Sequence, residues 1–301
     1  MRSFLTSRPL RNTALAAGGS AITFIVWTLL RKDKREATSL SINHFTEATL
    51  LQSEQSGGCT KLITLKLPPE CTTRQKTGTV WSVYIRDDDI QVERPYTPLE
   101  GIDKDGRMTF WVKKYPNGEV ARWLHSKFPG DKIGLRGPHT TWDWKDQDAK
   151  HIIMISGGTG FTPFYQLLYS HFLKKESQIP HTTKLSLLHS SLNDGELPPQ
   201  TLRNNLEHWR RESDSLTTRL FVDNMGGSST AADTVGRINR ESIEFELRKS
   251  NIPLSKTLFL VCGPEPMINT IAGPRALDRT QGPVGGVLGA LGCKSHQVWK
   301  L

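Results

Sequence analysis

The sequence predicts a β-barrel domain over residues 41–148, then an α/β domain with a parallel sheet over 149–301, both behind an N-terminal transmembrane helix. Three observations lead there. Residues 41–148 carry short strand-like segments broken by turn signals, the texture of a small antiparallel barrel. After Lys150 the apolar runs become continuous and alternate with helical stretches, the texture of βαβ units. Ahead of both, Ala14–Leu30 carries no charge and is followed by Arg31-Lys32-Asp33-Lys34-Arg35. A chain of 301 residues has room for two packed domains and a tail.

Residues 1–13 hold three arginines and no acid, the composition of a mitochondrial presequence. The stretch 14–30 sits at the short end of the roughly 17 to 25 residues that span a bilayer. In a secretory signal peptide small residues follow the apolar run. Here Ala16-Ala17-Gly18-Gly19-Ser20 precede it, so a single-pass anchor is expected, with 31–40 as a basic linker. Basic residues flank both ends, and charge alone does not orient the span. Of the net charge of +9, residues 1–35 account for six, with seven basic residues against Asp33 alone. The body is therefore unremarkable in charge, and no nucleic-acid surface is expected. Cys59, Cys71, Cys262 and Cys293 form no CxxC and have no histidine at ligand spacing, so neither a metal site nor a disulfide framework is expected.

In the first domain, Thr60–Leu67 alternates polar and apolar residues until Pro68-Pro69 stops it. Trp81–Ile85, Met108–Val112 and Ile133–Pro138 read as further strands, with turns at Asp105-Gly106 and Asn117-Gly118. In the second domain, His151–Ile155, Leu185–His189 and Thr257–Val261 read as strands buried on both faces. Helices are expected over Thr162–Lys175, Leu202–Arg211 and Glu241–Ser250.

Four short motifs carry chemistry, each ordinary when taken alone. Arg94-Pro95-Tyr96-Thr97 presents a guanidinium, a phenol and a hydroxyl from one extended segment. A flavin dinucleotide needs such a set: Arg94 for the diphosphate, Tyr96 against the ring system, and the Thr97 hydroxyl near flavin N5. Lys114-Tyr115-Pro116-Asn117-Gly118-Glu119-Val120-Ala121 opens a helix on a glycine turn, which leaves backbone N–H groups for a diphosphate. Gly157-Gly158-Thr159-Gly160-Phe161-Thr162-Pro163 lies between a buried strand and a helix, the setting of a phosphate-cradling loop. Pro163 stands in the third glycine's place, so the usual dinucleotide fingerprint is not met. Cys262-Gly263-Pro264-Glu265-Pro266-Met267 ends a buried strand, at the sheet edge where open α/β folds bind ligands.

In this order and spacing the four motifs resemble the NADH–cytochrome b5 reductase branch of the ferredoxin–NADP reductase superfamily, over about residues 41 to 301. The closing stretch from Leu288 to Leu301 resembles that family's last helix and strand. The resemblance implies FAD in the barrel, NADH (or NADPH) in the α/β domain, and hydride transfer between them. It places Thr97 beside the flavin N5 and Cys262 beside the nicotinamide as the catalytic pair. The presequence, the anchor and Gln91–Thr97 are most similar to a fungal mitochondrial branch that works with haem lyase in cytochrome c maturation. That implies an inner-membrane protein with its catalytic domain in the intermembrane space, and a haem-protein acceptor in the cytochrome c/haem lyase system. A general cytochrome b5 reductase and a non-catalytic flavoprotein scaffold are the alternatives.

The chain departs from the family at Glu100 and Ala121, where hydroxyl residues are usual, and both changes are expected to weaken FAD binding. Residues 273–283 read as an inserted loop, either a reach toward a partner or a disordered detour, the latter being the default. A carboxylate after the second parallel strand favours NADH; Asp194 and Glu196 are the candidates, with Arg203 nearby.

Overall fold

The computed structural model describes residues 40–69, 71, 79–144, 148–175, 177–224, 231–278 and 280–301. The expected presequence 1–13, the anchor 14–30 and the linker up to residue 39 lie outside the described residues. Among the described residues no helix is long and apolar enough to cross a membrane.

The first domain is a six-stranded antiparallel sheet built from β1 (Thr46–Gly57), β2 (Thr60–Lys66), β3 (Thr79–Asp87), β4 (Val92–Tyr96), β5 (Arg107–Lys113) and β6 (Lys132–Asp143), in the order β4-β3-β6-β1-β2-β5. Register shifts in β1 and between β3 and β6 bend the strands, and the sheet curls around one core that includes Leu65, Val83, Phe110 and Leu135. Helix α1 (Glu119–Ser126) packs against β3 and β4. Its buried residues Val120, Ala121, Trp123 and Leu124 follow the helical period. β1 escapes a reading by alternation because only Ala48 and Leu50 along it are fully buried; its place comes from pairing with β2 and β6.

The second domain is a six-stranded parallel sheet of β7 (His151–Gly157), β8 (Lys184–Ser191), β9 (Leu216–Val222), β10 (Thr234–Val235), β11 (Thr257–Cys262) and β12 (Val298–Lys300), in the order β10-β9-β8-β7-β11-β12. Every residue of β7 is buried, as a central strand covered on both faces requires. The helices are α2 (Thr162–Tyr169), α3 (Gln200–Glu212), α4 (Arg240–Ser250), α5 (Glu265–Ala272) and α6 (Gly286–Ala290). The expected helix 162–175 is α-helical only to Tyr169; Ser170–Lys174 form a π-turn that ends at Lys175 with φ 53°. The chain runs outward from β7 through β8 and β9, then returns to β7's other side as β11. The ligand crevice of an open parallel sheet therefore lies at the carboxyl ends of β7 and β11, where the strand order reverses.

The two domains share a core. Trp111 and Trp142 of the barrel pack into the same apolar cluster as Phe161, Phe164 and Tyr165. Gln166 of α2 is buried and clasps the barrel: its Oε1 accepts from Trp81 N at 2.9 Å, and its Nε2 donates to Pro98 O at 2.8 Å and Trp81 O at 3.2 Å.

The described residues of this stretch, 273–278 and 280–283, form a clasp on the end of the sheet, not a disordered detour. Lys300 is 2% exposed, and its Nζ donates to Pro274 O at 2.7 Å and Pro283 O at 2.9 Å, one at each end of the loop. Arg275 Nη1 and Gln281 Nε2 donate to Lys300 O at 2.9 and 3.1 Å. The loop thus supplies the outer edge of β12 with the partners another strand would have supplied.

Candidate active cleft

Between the domains runs a cleft of about 580 Å³. Arg94, Pro95, Tyr96 and Thr97 line it from the end of β4; Tyr115, Gly118, Glu119, Val120 and Ala121 line it from the start of α1. Gly157, Thr159, Gly160, Thr162 and Pro163 close it from the turn after β7, with Cys262, Gly263 and Pro264 from the end of β11. Gly158 and Met267 line a second lobe of about 350 Å³, which shares Lys113, Tyr115, Gly157 and Pro264 with the first. Of the residues the four motifs assign to cofactor binding, all but Lys114 therefore meet in one continuous space.

The exception is Lys114, an exposed residue that lines neither lobe. Lys113, the last residue of β5, lines the cleft with Trp111 and Val112, whereas Lys114 follows the end of the strand, its N–H donating to Cys59 O at 2.8 Å. Lys113, not Lys114, brings its ammonium to the cleft.

The barrel half is suited to a diphosphate. Helix α1 begins at Gly118 with no side-chain cap, so its first N–H groups are left without intrahelical partners. Arg94 stands beside it, with a side chain 60% exposed and Glu119 as a carboxylate neighbour at 3.9 Å. Ala121 adds no hydroxyl. Trp111 Nε1 is buried in the cleft wall without a partner, and burial lifts the Tyr96 phenol well above its ordinary range. These features fit FAD: a cationic fork, a helix N-terminus and a largely apolar wall.

The α/β half relies on backbone. A side chain at Gly160 would run into the carbonyl of Cys262, and one at Gly263 would lie 2.7 Å from Met267 Cε and 3.0 Å from Gly157 N. Gly158 has φ +53°, and a Cβ there would meet the Tyr115 hydroxyl at 3.7 Å. The turn after β7 and the Cys262-Gly263-Pro264 turn are thus interlocked, as the pairing of Cys262 with Ser156 across β7 and β11 requires. Desolvation pushes the Cys262 thiol up to about 12, so it is a neutral thiol. Beneath the turn, His189 bonds Ser156 Oγ at 2.9 Å and Ser191 Oγ at 3.0 Å, and burial pushes it down to about 3. The close backbone approach fits a nicotinamide dinucleotide.

Glu100 lies outside the cleft. It faces a separate polar recess with Asp103, Arg107 and Lys174, hydrogen-bonded to Tyr169, and burial raises its pKa. The expectation that it weakens FAD binding is therefore corrected, and Ala121 remains the only departure in the cleft. Of the expected nucleotide carboxylates, Glu196 lines the second lobe but is bound to Lys113, and Asp194 lines neither lobe. Arg203 turns instead to Pro198 O, at 2.9 Å. Sequence reasoning missed Asp223, which follows β9 into the second lobe and holds Arg237 at 2.8 Å.

Fold and cleft together define a two-domain flavin- and nicotinamide-dependent oxidoreductase. Residues 47–144 match the oxidoreductase FAD-binding domain family and residues 154–273 the oxidoreductase NAD-binding domain family. A Mycosarcoma maydis protein named NADH-cytochrome b5 reductase 2 is 31% identical over 209 residues, 69% of this chain and 57% of that protein. A Lodderomyces elongisporus protein of the same name is 29% identical over 253 residues, 83% of this chain and 81% of its own. The cytochrome b5 reductase domain of Ulva prolifera nitrate reductase superposes with a TM-score of 0.65 at 20% identity, over 87% of this chain and 99% of that one, a likeness of fold. The chain belongs to the cytochrome b5 reductase-like FAD-containing NAD(P)H oxidoreductases, with FAD and NADH as its cofactors.

Proposed function

We propose that this protein takes electrons from NADH in the α/β half of the cleft and delivers them from the barrel half to a haem protein. The observation that carries the reading is the convergence of Arg94–Thr97, the start of α1, the Gly157–Pro163 turn and Cys262–Pro264 on one cleft. FAD, when bound, accepts a hydride and releases electrons singly, which suits a haem acceptor. Arg94 and the uncapped start of α1 would hold its diphosphate, and Thr97 would donate its hydroxyl to the ring system. Cys262, a neutral thiol, would position the nicotinamide without taking a proton. Asp223 would accept from the adenosine 2′-hydroxyl and disfavour a 2′-phosphate, while Arg237 beside it would leave NADPH some affinity.

The names of the fungal relatives support cytochrome b5 as acceptor. The arginine-bearing residues 1–13 and the uncharged stretch 14–30 support a single-pass mitochondrial membrane protein, and the resemblance to the fungal mitochondrial branch supports the inner membrane, a catalytic part in the intermembrane space and electrons used in cytochrome c maturation. Anaerobic titration of the yellow protein with NADH, then NADPH, tests the chemistry; flavin absorbance that NADH does not bleach overturns it. Steady-state turnover with soluble cytochrome b5 separates the acceptors. Fast turnover, or normal cytochrome c levels in a deletion strain, sinks the dedicated maturation role.

A further inference from the structure

Lys113 stands where the two lobes of the cleft meet. Its Nζ is 2.5 Å from Glu196 Oε2, and the two side chains are only 11% and 17% exposed. Glu196 ends the short turn Asp194–Glu196 after β8, so this ion pair ties the barrel to the α/β domain. The β1–β2 hairpin is seated on the same turn. A Cβ on Gly57 would lie 2.7 Å from Gly195 O, and Cys59 Sγ is 3.8 Å from Glu196 Oε1. On the cleft side, Lys113 Nζ lies 5.3 Å from the centre of the Tyr115 ring. In the same lobe Arg237 is held by Asp223 at 2.8 Å. A lobe that admits an anionic dinucleotide thus has both of its lining cations matched to carboxylates of the protein itself.

We propose that Glu196 is an internal competitor for the nicotinamide dinucleotide. Its carboxylate occupies Lys113 in the free protein and gives it up when the dinucleotide's diphosphate enters, so Glu196 sets the affinity of the site. The inference rests on reading this lobe as the NADH site. A short, screened, charge-assisted pair is a real competitor where an exposed one is not. The apparent affinity falls by the fraction of molecules in which Lys113 is released. Glu196 is thus a positioning residue that acts through Lys113.

The test is NAD⁺ binding to the FAD-loaded protein, followed by calorimetry at low and high salt, with flavin content and melting temperature as checks on folding. Glu196→Gln, which keeps the side chain's size, tightens NAD⁺ about fivefold at low salt and less at high salt. Glu196→Asp, which keeps the charge but shortens the reach, tightens it by a smaller factor. Lys113→Met weakens NAD⁺ binding and removes the effect of Glu196→Gln in the double variant. NAD⁺ binding that is unchanged in Glu196→Gln overturns the proposal, and so does weaker binding, which would make Glu196 a direct ligand of the dinucleotide. If wild-type protein binds no NAD⁺ and NADH leaves its flavin oxidised, the site reading itself fails. Normal wild-type behaviour with an inert Glu196→Gln sinks the competitor alone.

Discussion

The barrel half of the cleft and its seam with the α/β half hold their charges in opposite ways. In the barrel half Arg94 stands 60% exposed, 3.9 Å from an equally open Glu119, a pair worth little in water. Where β5 of the barrel meets the α/β domain, Lys113 and Glu196 close to 2.5 Å with little exposure, whereas Arg237, 2.8 Å from Asp223, is itself 81% exposed. Backbone follows the same division. The barrel half offers an uncapped helix start, whereas the α/β half interlocks two glycine turns. A half left open suits a group that stays bound, and a seam closed on its own partners suits one that comes and goes. The contrast can be broken from either side.

The largest effect is expected at Gly160, where a side chain has to displace the carbonyl of Cys262. Gly160→Val shifts the nicotinamide turn, and a displacement of about 1 Å at such a site lowers the rate of flavin reduction by NADH about a hundredfold. FAD content should stay near that of wild type, because the groups proposed to hold the FAD diphosphate, Arg94 and the start of α1, are on the barrel. Stopped-flow reduction and the flavin-to-protein absorbance ratio report both. A variant that loses its flavin as well would show that the two halves do not act separately.

Arg94→Ala attacks the open half. Removing a charged hydrogen-bonding group from a diphosphate costs about 1.5–3 kcal/mol, so FAD affinity should fall about 10- to 100-fold. Equilibrium dialysis of the apoprotein against FAD measures it. A variant that stays fully loaded at nanomolar FAD contradicts the placement of the diphosphate at Arg94.

Acid should break the comparison unevenly. His151, His171 and His189, all in the α/β domain, are pushed down to about 4, 4 and 3, each chiefly by burial. Their folded values lie below the ordinary value of 6.5, so the unfolded chain binds the extra protons. Stability is therefore whole above pH 6.5 and is lost as pH falls from there toward 4. Two of the three lack support for a charge: His171 has neither ring nitrogen hydrogen-bonded, and His151 Nδ1 has no partner. The barrel's His125 and His139 are shifted the same way, again mainly by burial, but both are partly exposed. NAD⁺ affinity should fail before FAD is released as pH drops below 6.5. Simultaneous loss, tracked by calorimetry and flavin fluorescence, would refute the uneven response.

How far the sequence could be read depended on which physical signal each element carried. Continuous apolar runs marked β7, β8 and β11 because central parallel strands are buried on both faces. β9 carries Leu-Thr-Thr-Arg-Leu, with its first half only partly buried, and went unread. Asp223, the residue just past its end, went unread with it. The motif residues met in the cleft because each sits at a strand end or helix start, which spacing reveals. Lys113 ends β5 and Lys114 lies just past it, so where the strand stops decides which ammonium lines the cleft. Glu100 was misread for a related reason, since the chain beyond Thr97 turns away from the cleft toward Tyr169. The clasp at 273–283 rests on Lys300, far along the chain, and no local composition announces that a buried lysine will organise a loop.

The smallest effect sharpens the comparison most. Ala121 lies in the first turn of α1, 7% exposed and on the cleft wall, where three backbone N–H groups are the only donors the helix offers. Because Glu100 lies elsewhere, Ala121 is the one eroded position in the barrel half. Ala121→Ser adds a hydroxyl without adding bulk that the wall cannot hold, and one added hydrogen bond contributes about 0.5–1.5 kcal/mol net. FAD should bind about two- to tenfold more tightly, while NAD⁺ affinity, set at the seam by the Lys113–Glu196 pair, should not move. Apoprotein reconstitution followed by NAD⁺ calorimetry measures both. If the serine leaves FAD unchanged, the start of α1 is not where the diphosphate lies, and Arg94 has to hold it alone.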